Sequence, residues 1–522
     1  MINPHLHLPD YIIIVVFLLV TIYFGFRFAN RQRTTKAYFA ANGKIPSWVI
    51  GISILSTLIS SITFLAYPGE GYSSNWILLV QGLMVPIVLL SMIWYIVPLY
   101  RKVIGLSTYE YFEKRFGSFV RYYCSLGFVL THFSKMGTVF FLLALALANM
   151  TGVNTFVIIS IIGFAIILLA LLGGIEAVIW LDVIQGFMLF GCGIACLVII
   201  LFSVQGGPAE VWHIAKASGR TGFGPYDLNF KKLTFIVMAV NGIFYGIQKY
   251  GTDQTIVQRY LTAKSDKSAI RASLMGVVLI VPVWTLFMFI GTALFVYYKQ
   301  HPLPAGMRPD SVFPYFIVNN LPVGVVGLIV SSLVSAAICS LGADLNCLAA
   351  VGLEDYYKKI RPGKSDKEYL KVSRWLVVFA GIGALLIASL YLAAGDEGVL
   401  GIVFTLYAIF SGGIAGIFLL ALFAPRANRQ GVTIGIVVCI IFTAYAFLTS
   451  TQIGQVGNKH LLLDIGSYNF SHNKLMLGVY SHLVVIIIGY FASLFFPKPL
   501  IDKSLLWINT RKIADVSLKP LT

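Results

Sequence analysis

Charge is what this sequence lacks most. Only 11% of its 522 residues are Asp, Glu, Lys or Arg, where a soluble globular chain carries about 25%. That shortfall excludes a water-soluble domain of this length. Cysteine is sparse too: Cys124, Cys192, Cys196, Cys339, Cys347 and Cys439 fall mostly inside apolar runs, with no CxxC spacing and no Cys/His cluster. They read as buried small hydrophobes rather than as metal ligands or a disulfide framework. No DDxxD or HExxH is present, so a membrane-embedded transferase or other metal-dependent enzyme has no acidic or histidine centre to work with. Short segments of alternating hydrophobicity are absent, which excludes a β-barrel. A repeated pore loop is absent, which disfavours a channel. The first apolar run, Tyr11 to Phe28, has no basic stretch before it, so it reads as a span rather than a cleaved signal peptide.

What is present is apolar length. Hydrophobic residues make up 58% of the chain, and runs of about 20 of them recur from end to end, the mark of an all-α polytopic membrane protein. Thirteen candidate transmembrane helices lie near 10–29, 46–66, 74–100, 119–148, 153–173, 178–204, 233–251, 270–298, 313–352, 374–394, 398–423, 430–449 and 476–497. The 313–352 run exceeds one crossing, so its start, SVFPYFIVNNLPVG, is expected outside the bilayer or in a short extra helix. With the N-terminus outside, most of the 38 Lys and Arg fall in cytoplasmic segments. That bias predicts an external N-terminus and a cytoplasmic C-terminus in the plasma (inner) membrane. It also accounts for the formal charge of +17 with no nucleic-acid partner. The tail after residue 498 is too short for a further soluble domain.

Ionisable groups inside spans are few: Lys135, Asp182, Lys249 and Asp344, with His132 one turn before Lys135. Such groups are functional candidates by default. Asp344 lies in ICSLGADLNC, in the middle of an apolar run, where a carboxylate costs about 2.5–3.5 kcal/mol unless it is compensated. Three readings are open for it: contact with a cation, pairing with a lysine such as Lys135, or burial as the neutral acid. Asp182 reads as a cation ligand, a proton carrier or an interfacial carboxylate. Lys249 reads as a functional candidate or as a side chain snorkelling to the interface.

Two spans are weak as continuous helices. LSTLISSITFLAY, residues 55–67, carries five hydroxyls between Ser56 and Thr63. Hydroxyls can join helices, and with carbonyls freed at a helix break they also suit a hard cation such as Na⁺. The 233–251 run carries Gly242, Gly246, Gly251, Asn241 and Gln248, and is expected to be broken as well. Setting the first span aside, these are the first and sixth of the remainder, the spacing of two five-helix halves in inverted repeat.

Four stretches together resemble the sodium:solute symporter family, which includes sodium–glucose cotransporters, proline permease and bacterial sialic acid transporters. FAANGKIPSWVIGISILST resembles the approach to its first core helix, and STYEYFEKRFG its TxxEYLxxRFG loop. GGIEAVIWLDVIQ resembles GGxxAVxxTDxxQ, and GTDQTIVQRYLTAKSDKSA resembles TDQxxVQRxLxAK. The resemblance covers nearly the whole chain. It implies a leucine-transporter-like five-plus-five inverted repeat in one transmembrane domain: an extra N-terminal helix (10–29), repeats at 46–204 and 233–423, two C-terminal helices (430–497) and a tail (498–522).

The resemblance also implies a function: sodium-coupled import of a sugar-like solute by alternating access, with Na⁺ as the coupling ion. For the main sodium site it implies Ser56 and Ile59 on the first core helix and Ala336, Cys339 and Ser340 on the eighth. Cys339 stands where serine is usual, and a thiol is a poor Na⁺ ligand. A second site in some members would use Asp182, but its hydroxyl positions are Gly342 and Ala343 here. Asp344, one turn beyond Ser340 on the same helical face, is a candidate source of the missing oxygen. For the substrate the resemblance implies Ser60, Thr63, Gln81, Lys135, Phe244, Lys249, Tyr250 and Phe404. Lys135 matches a position that holds Arg in sialic acid transporters, where it meets a carboxylate. Two lysines beside one cavity favour an anion, so the expected solute is a sugar acid such as sialic acid or a uronate. A neutral sugar, polyol or amino acid is the alternative.

Overall fold

The computed structural model describes residues 6–394, 409, 412–453 and 460–507, and these are almost wholly helical. The N-terminal helix α1 spans Leu8–Ala29. It is followed by α2 (Ser47–Leu58) and α3 (Ser61–Ser73), then α4 (Leu79–Val103), α5 (Ser118–Thr151) and α6 (Thr155–Ser203). The second half holds α7 (Phe235–Gly251), α8 (Gln254–Thr262), α9 (Asp266–Gln300), α10 (Pro309–Asn320) and α11 (Val325–Val351). The last four are α12 (Asp366–Ala394), α13 (Ile414–Phe423), α14 (Arg429–Ser450) and α15 (Lys474–Leu494).

Among the described residues nine helices are long and apolar enough to cross a membrane, and α2 with α3 forms one further, bent candidate. The nine differ sharply in burial: the most apolar window of α11 is 89% buried, whereas that of α1 is 17% buried. Helix α1 leaves most of its apolar surface outside the bundle, and α11 is the central post. The start of the long 313–352 run forms the separate helix α10.

Capping side chains start several of these helices. Thr234, Asp253, Ser265, Asn428 and Asn473 each accept a hydrogen bond from a backbone N–H in the first turn of the helix that follows, satisfying donors that would otherwise be orphaned.

Two interruptions shape the core. Residues 59–60 separate α2 from α3: Ile59 has extended backbone (φ −97°, ψ 128°), and the two segments meet at a 57° bend. In α6 the chain turns at Gly174, whose φ of 55° and ψ of −161° suit glycine alone. The expected break inside 233–251 lies elsewhere. Helix α7 runs unbroken to Gly251, and the interruption falls at Thr252–Asp253. The glycines serve packing instead: a Cβ at Gly242 would meet the backbone of Gln81 at 2.9 Å, which is how α7 lies flush on α4.

At one end of the bundle the loops carrying the STYEYFEKRFG and GTDQTIVQRY motifs are tied together. Arg101 holds Asp266 (2.7 Å) and the carbonyl of Ala263 (2.9 Å). Gln254 accepts from the Thr108 hydroxyl (2.6 Å) and donates to the Leu106 carbonyl (2.7 Å). Arg115 donates to the carbonyls of Ala421, Ala424 and Ala427 at 2.7–3.1 Å, closing the C-terminal end of α13. Partial burial pushes the Glu113 carboxyl up, but hydrogen bonds from Lys359 and Arg121 outweigh it and hold the group below the usual carboxylate range.

Candidate functional site

The α2–α3 break faces α6 and α11. Ser56, at the end of α2, donates to the backbone carbonyl of Asp182 at 2.7 Å. That approach requires glycine at 186, because a side chain there would run into the Ser56 hydroxyl. One turn earlier, Ser53 donates to Asp182 Oδ2 at 2.5 Å. The same Oδ2 accepts from Arg259 Nη2 at 2.9 Å, while Arg259 Nε reaches Ser53 Oγ at 2.9 Å and Nη1 the Thr255 carbonyl at 2.7 Å. Arg259 and Asp182 are essentially without solvent exposure. This is a buried, hydrogen-bonded ion pair between α8 and α6, with α2 clamped to it. Among the described residues Asp182 Oδ1 accepts no aligned hydrogen bond. Beside it lies the Cys339 thiol, which points at Gln185 Oε1 at 2.5 Å.

Helix α11 supplies the opposite wall. Ala336, Cys339 and Ser340 are buried, and Cys339 is linked to α6 through Gln185, one turn beyond Asp182. Among the described residues Ser335 and Ser340 are buried with hydroxyls that have no hydrogen-bond partner. A pair of unpartnered hydroxyls on the most enclosed helix is unusual, since buried polar groups are normally satisfied. Further along, Gln258 Nε2 donates to Asn346 Oδ1 (2.8 Å) and to the Phe39 carbonyl (2.7 Å), which fixes α8 against α11.

A second charge cluster sits one helix over. Lys135 Nζ on α5 lies 3.1 Å from Asp344 Oδ1 and 2.9 Å from Oδ2. Asp344 is fully buried, while the Lys135 side chain is 22% exposed. His132, one turn from Lys135, donates through Nδ1 to the Phe128 carbonyl at 3.0 Å. Its Nε2 lies 3.7 Å from Asp344 Oδ1 and 3.6 Å from Asp253 Oδ2. Asp253 is in turn held by Lys249 at 2.6 Å, and Lys249 also donates to Thr255 Oγ1 at 3.2 Å. The result is a run of five groups, Lys135–Asp344–His132–Asp253–Lys249, linking α5, α11 and the α7–α8 turn.

The remaining substrate candidates divide. Ser60 and Thr63 are buried at and just beyond the break, and Gln81 is half-buried on α4 where Gly242 abuts it. Phe244 stacks on His482 of α15, with centroids 5.3 Å apart, so it turns toward the C-terminal helices. The Tyr250 carbonyl accepts from the Tyr260 hydroxyl at 3.0 Å, and the ring is buried. Phe404 lies outside the described residues. Sequence reasoning missed Ser53, Gln185, Asp253 and Arg259 as site residues. The signal for the last three lay in the GGIEAVIWLDVIQ and TDQTIVQR stretches, where polar residues recur at about one-turn spacing.

Among the described residues no group of three His, Cys, Asp or Glu could hold a metal ion. What the walls offer instead is hydroxyl, carboxylate and broken-helix carbonyl oxygen, the donor set of a hard monovalent cation.

Comparison with known proteins agrees with the motifs. The model of the sodium:solute symporter family matches residues 38–439. A sodium/sialic acid symporter, NanT of Aliivibrio fischeri, is 32% identical over 497 residues, covering 94% of each chain. Another, SiaT of Proteus mirabilis, is 33% identical over 440 residues, covering 83% of this chain and 88% of that one. A solved structure of a Na⁺-coupled sialic acid symporter, substrate-bound and outward-open, superposes with a TM-score of 0.87 at 30% identity, covering 95% of this chain and 99% of the other.

Proposed function

We propose that this chain, which belongs to the sodium:solute symporter family and so couples uptake of a small solute to Na⁺ across a membrane, carries an acidic sugar of the sialic acid or uronic acid class. One observation carries the choice of an acid. Lys135 on α5 is the more exposed lysine of the buried charge cluster, 22% against 8% for Lys249, so it is the cation able to meet a substrate carboxylate. The two relatives named for sialic acid support the same reading.

The coupling ion is assigned to Ser56 and the Ile59 carbonyl on one side of the break, and to Ala336, Cys339 and Ser340 on α11. A single Na⁺ fits best. Asp182 Oδ2 is taken by Ser53 and Arg259, and positions 342 and 343 bring no side-chain oxygen. Na⁺ at the break orders α2 and α3 beside Ser60, Thr63 and Gln81, which raises solute affinity. Linkage then requires the solute to raise Na⁺ affinity by the same factor.

The architecture that goes with this is thirteen crossings, with two five-helix repeats at 46–204 and 233–423 after the extra helix 10–29, then the pair within 430–497. Helix α6 has 49 residues, about 74 Å of helix, enough for two crossings of a ~30 Å core. The N-terminus is assigned outside and the C-terminus in the cytoplasm, on the distribution of Lys and Arg.

Both lysines are already paired, and that observation favours a second reading: a neutral sugar, polyol or amino acid, with Lys135 and Lys249 purely structural. Proteoliposomes with an imposed inward Na⁺ gradient decide between them. The expected result is Na⁺-dependent accumulation of a sialic acid or glucuronate, lost in Lys135→Met. Equal uptake of neutral sugars with no response to the acids would refute the first reading, and undiminished uptake with choline in place of Na⁺ would refute both.

A further inference from the structure

Asp344 is the buried group that the sodium and substrate assignments leave without a role. Its carboxylate sits in the middle of α11 with no solvent exposure, and Lys135 reaches it from a partly exposed position. The contact is lopsided. Lys135 Nζ faces both oxygens, 3.1 Å from Oδ1 and 2.9 Å from Oδ2, but among the described residues the hydrogen bond is aligned on Oδ1 only. One turn back on the same face, the Ser340 hydroxyl is fully buried and has no hydrogen-bond partner among the described residues. So one carboxylate oxygen and one hydroxyl oxygen on this face of α11 have bonding capacity to spare, next to a cation that is able to leave.

The surrounding charges make that departure consequential. The groups facing Asp344 are Lys135 and His132 from α5, with Asp253 and Lys249 beyond His132 at the α7–α8 turn. The two carboxylates and the two ammonium groups balance one another. If Lys135 swings to a bound anion, Asp344 is left as an uncompensated charge inside an apolar helix, which is strongly disfavoured until another cation arrives.

We propose that Asp344 is an internal stand-in for the substrate anion: it holds Lys135 in the empty carrier, and on loading Lys135 passes to the substrate carboxylate while the single Na⁺ assigned above, which shares the Ser340 hydroxyl, gains the Asp344 carboxylate in its place. The exchange rests on the acidic-solute reading above. It gives that reading a coupling mechanism. Na⁺ displaces Lys135 toward the substrate, and the substrate draws Lys135 off the Na⁺ ligand, so each ligand promotes the other without a large change of fold. No bond is made or broken, and the carrier takes up one cation and one anion together.

Two variants test it. In Lys135→Gln the competitor of Na⁺ is gone, so ²²Na⁺ binding with no substrate present should tighten by about tenfold, within the usual range of such couplings. In Asp344→Asn, Lys135 is free at all times. Binding of a sialic acid without Na⁺ should then rise by about tenfold, and the ratio of affinities with and without Na⁺ should fall at least threefold from about ten, leaving the share contributed by ordering of the α2–α3 break. Asp344→Glu should keep a ratio well above that of Asp344→Asn. Unchanged Na⁺ affinity in Lys135→Gln overturns the exchange, even if Asp344→Asn fails to fold. So does an unchanged ratio in a folded Asp344→Asn. Uptake of one proton per substrate by the wild type would give the compensating charge to His132 and overturn the part played by Na⁺. If the wild type binds no acidic sugar while Lys135→Gln still binds Na⁺ more tightly, the acidic-solute reading fails and the competition of Lys135 with Na⁺ for Asp344 stands.

Discussion

Replacing Arg259 by Met removes the guanidinium that holds Asp182 and leaves a carboxylate with essentially no solvent exposure. In the native arrangement Arg259 makes three directional contacts, to Asp182 Oδ2, Ser53 Oγ and the Thr255 carbonyl, at 2.7–2.9 Å. Breaking a buried pair by deleting one partner typically costs about 3–5 kcal/mol, because the survivor is an uncompensated charge. The expected loss is therefore roughly two to three and a half powers of ten in the folded-to-unfolded ratio, which a thermal or denaturant unfolding series in detergent will read. Asp182→Asn alone leaves the guanidinium stranded and should cost a similar amount. The double variant should cost clearly less than the sum, with an interaction energy of about 2–3 kcal/mol.

The same variant bears on ion stoichiometry. If Arg259 occupies the place a cation would take at Asp182, then Arg259→Met opens that place. Na⁺ at a hundred times its dissociation constant would restore about 2.7 kcal/mol, selectively in Arg259→Met and not in the double variant. Single-variant losses under about 1 kcal/mol that simply add would refute the claim that this pair is a strongly coupled buried charge pair. Na⁺ stabilisation equal in wild type and variant would refute the idea that the guanidinium stands in for an ion.

Two further outcomes follow from the geometry. One Na⁺ moving with one monovalent anion carries no net charge, so a valinomycin-clamped potential of 100 mV, worth about 2.3 kcal/mol per net charge, should alter the accumulation ratio less than about twofold; a change nearer fiftyfold would require a second Na⁺ or a neutral solute. Gly174→Ala places a Cβ at φ 55° and 2.8 Å from the Tyr38 carbonyl, and should lower stability by about 1–3 kcal/mol, whereas Gly191→Ala, with open space around it, should not; equal effects of the two would argue against a strained corner in α6.

The parts of this molecule legible in the sequence are those fixed by solvent and by local chemistry. Span positions follow from hydropathy because the bilayer sets a minimum apolar length. The break after residue 58 showed as a cluster of hydroxyls, and the four motifs placed the chain in its family. The supposed break in 233–251 was misplaced because glycine has two uses that composition does not separate. At 242 and 246 it lets helices touch, and the interruption itself comes at Thr252–Asp253, where Asp253 caps the next helix. For the charge pairs the sequence went only part of the way: it offered Lys135 as one of three readings for Asp344 and did not pair Arg259 with Asp182. Lys135 and Asp344 are 209 positions apart, and Arg259 and Asp182 are 77 apart. Which cation meets which carboxylate depends on how α5, α6, α8 and α11 cross, and no local pattern encodes that. Yet energetic reasoning narrows the choice before any coordinates exist. Each buried carboxylate must find a cation, and the chain has few in its core. An aspartate in an apolar helix therefore implies a partner, and a partner that is itself partly exposed implies that the pairing can be exchanged. Lys135 is 22% exposed and Arg259 is wholly buried. That contrast gives the two pairs different roles. The Arg259–Asp182 pair holds α2, α6 and α8 together, and the Lys135–Asp344 pair is the one whose partners are able to change.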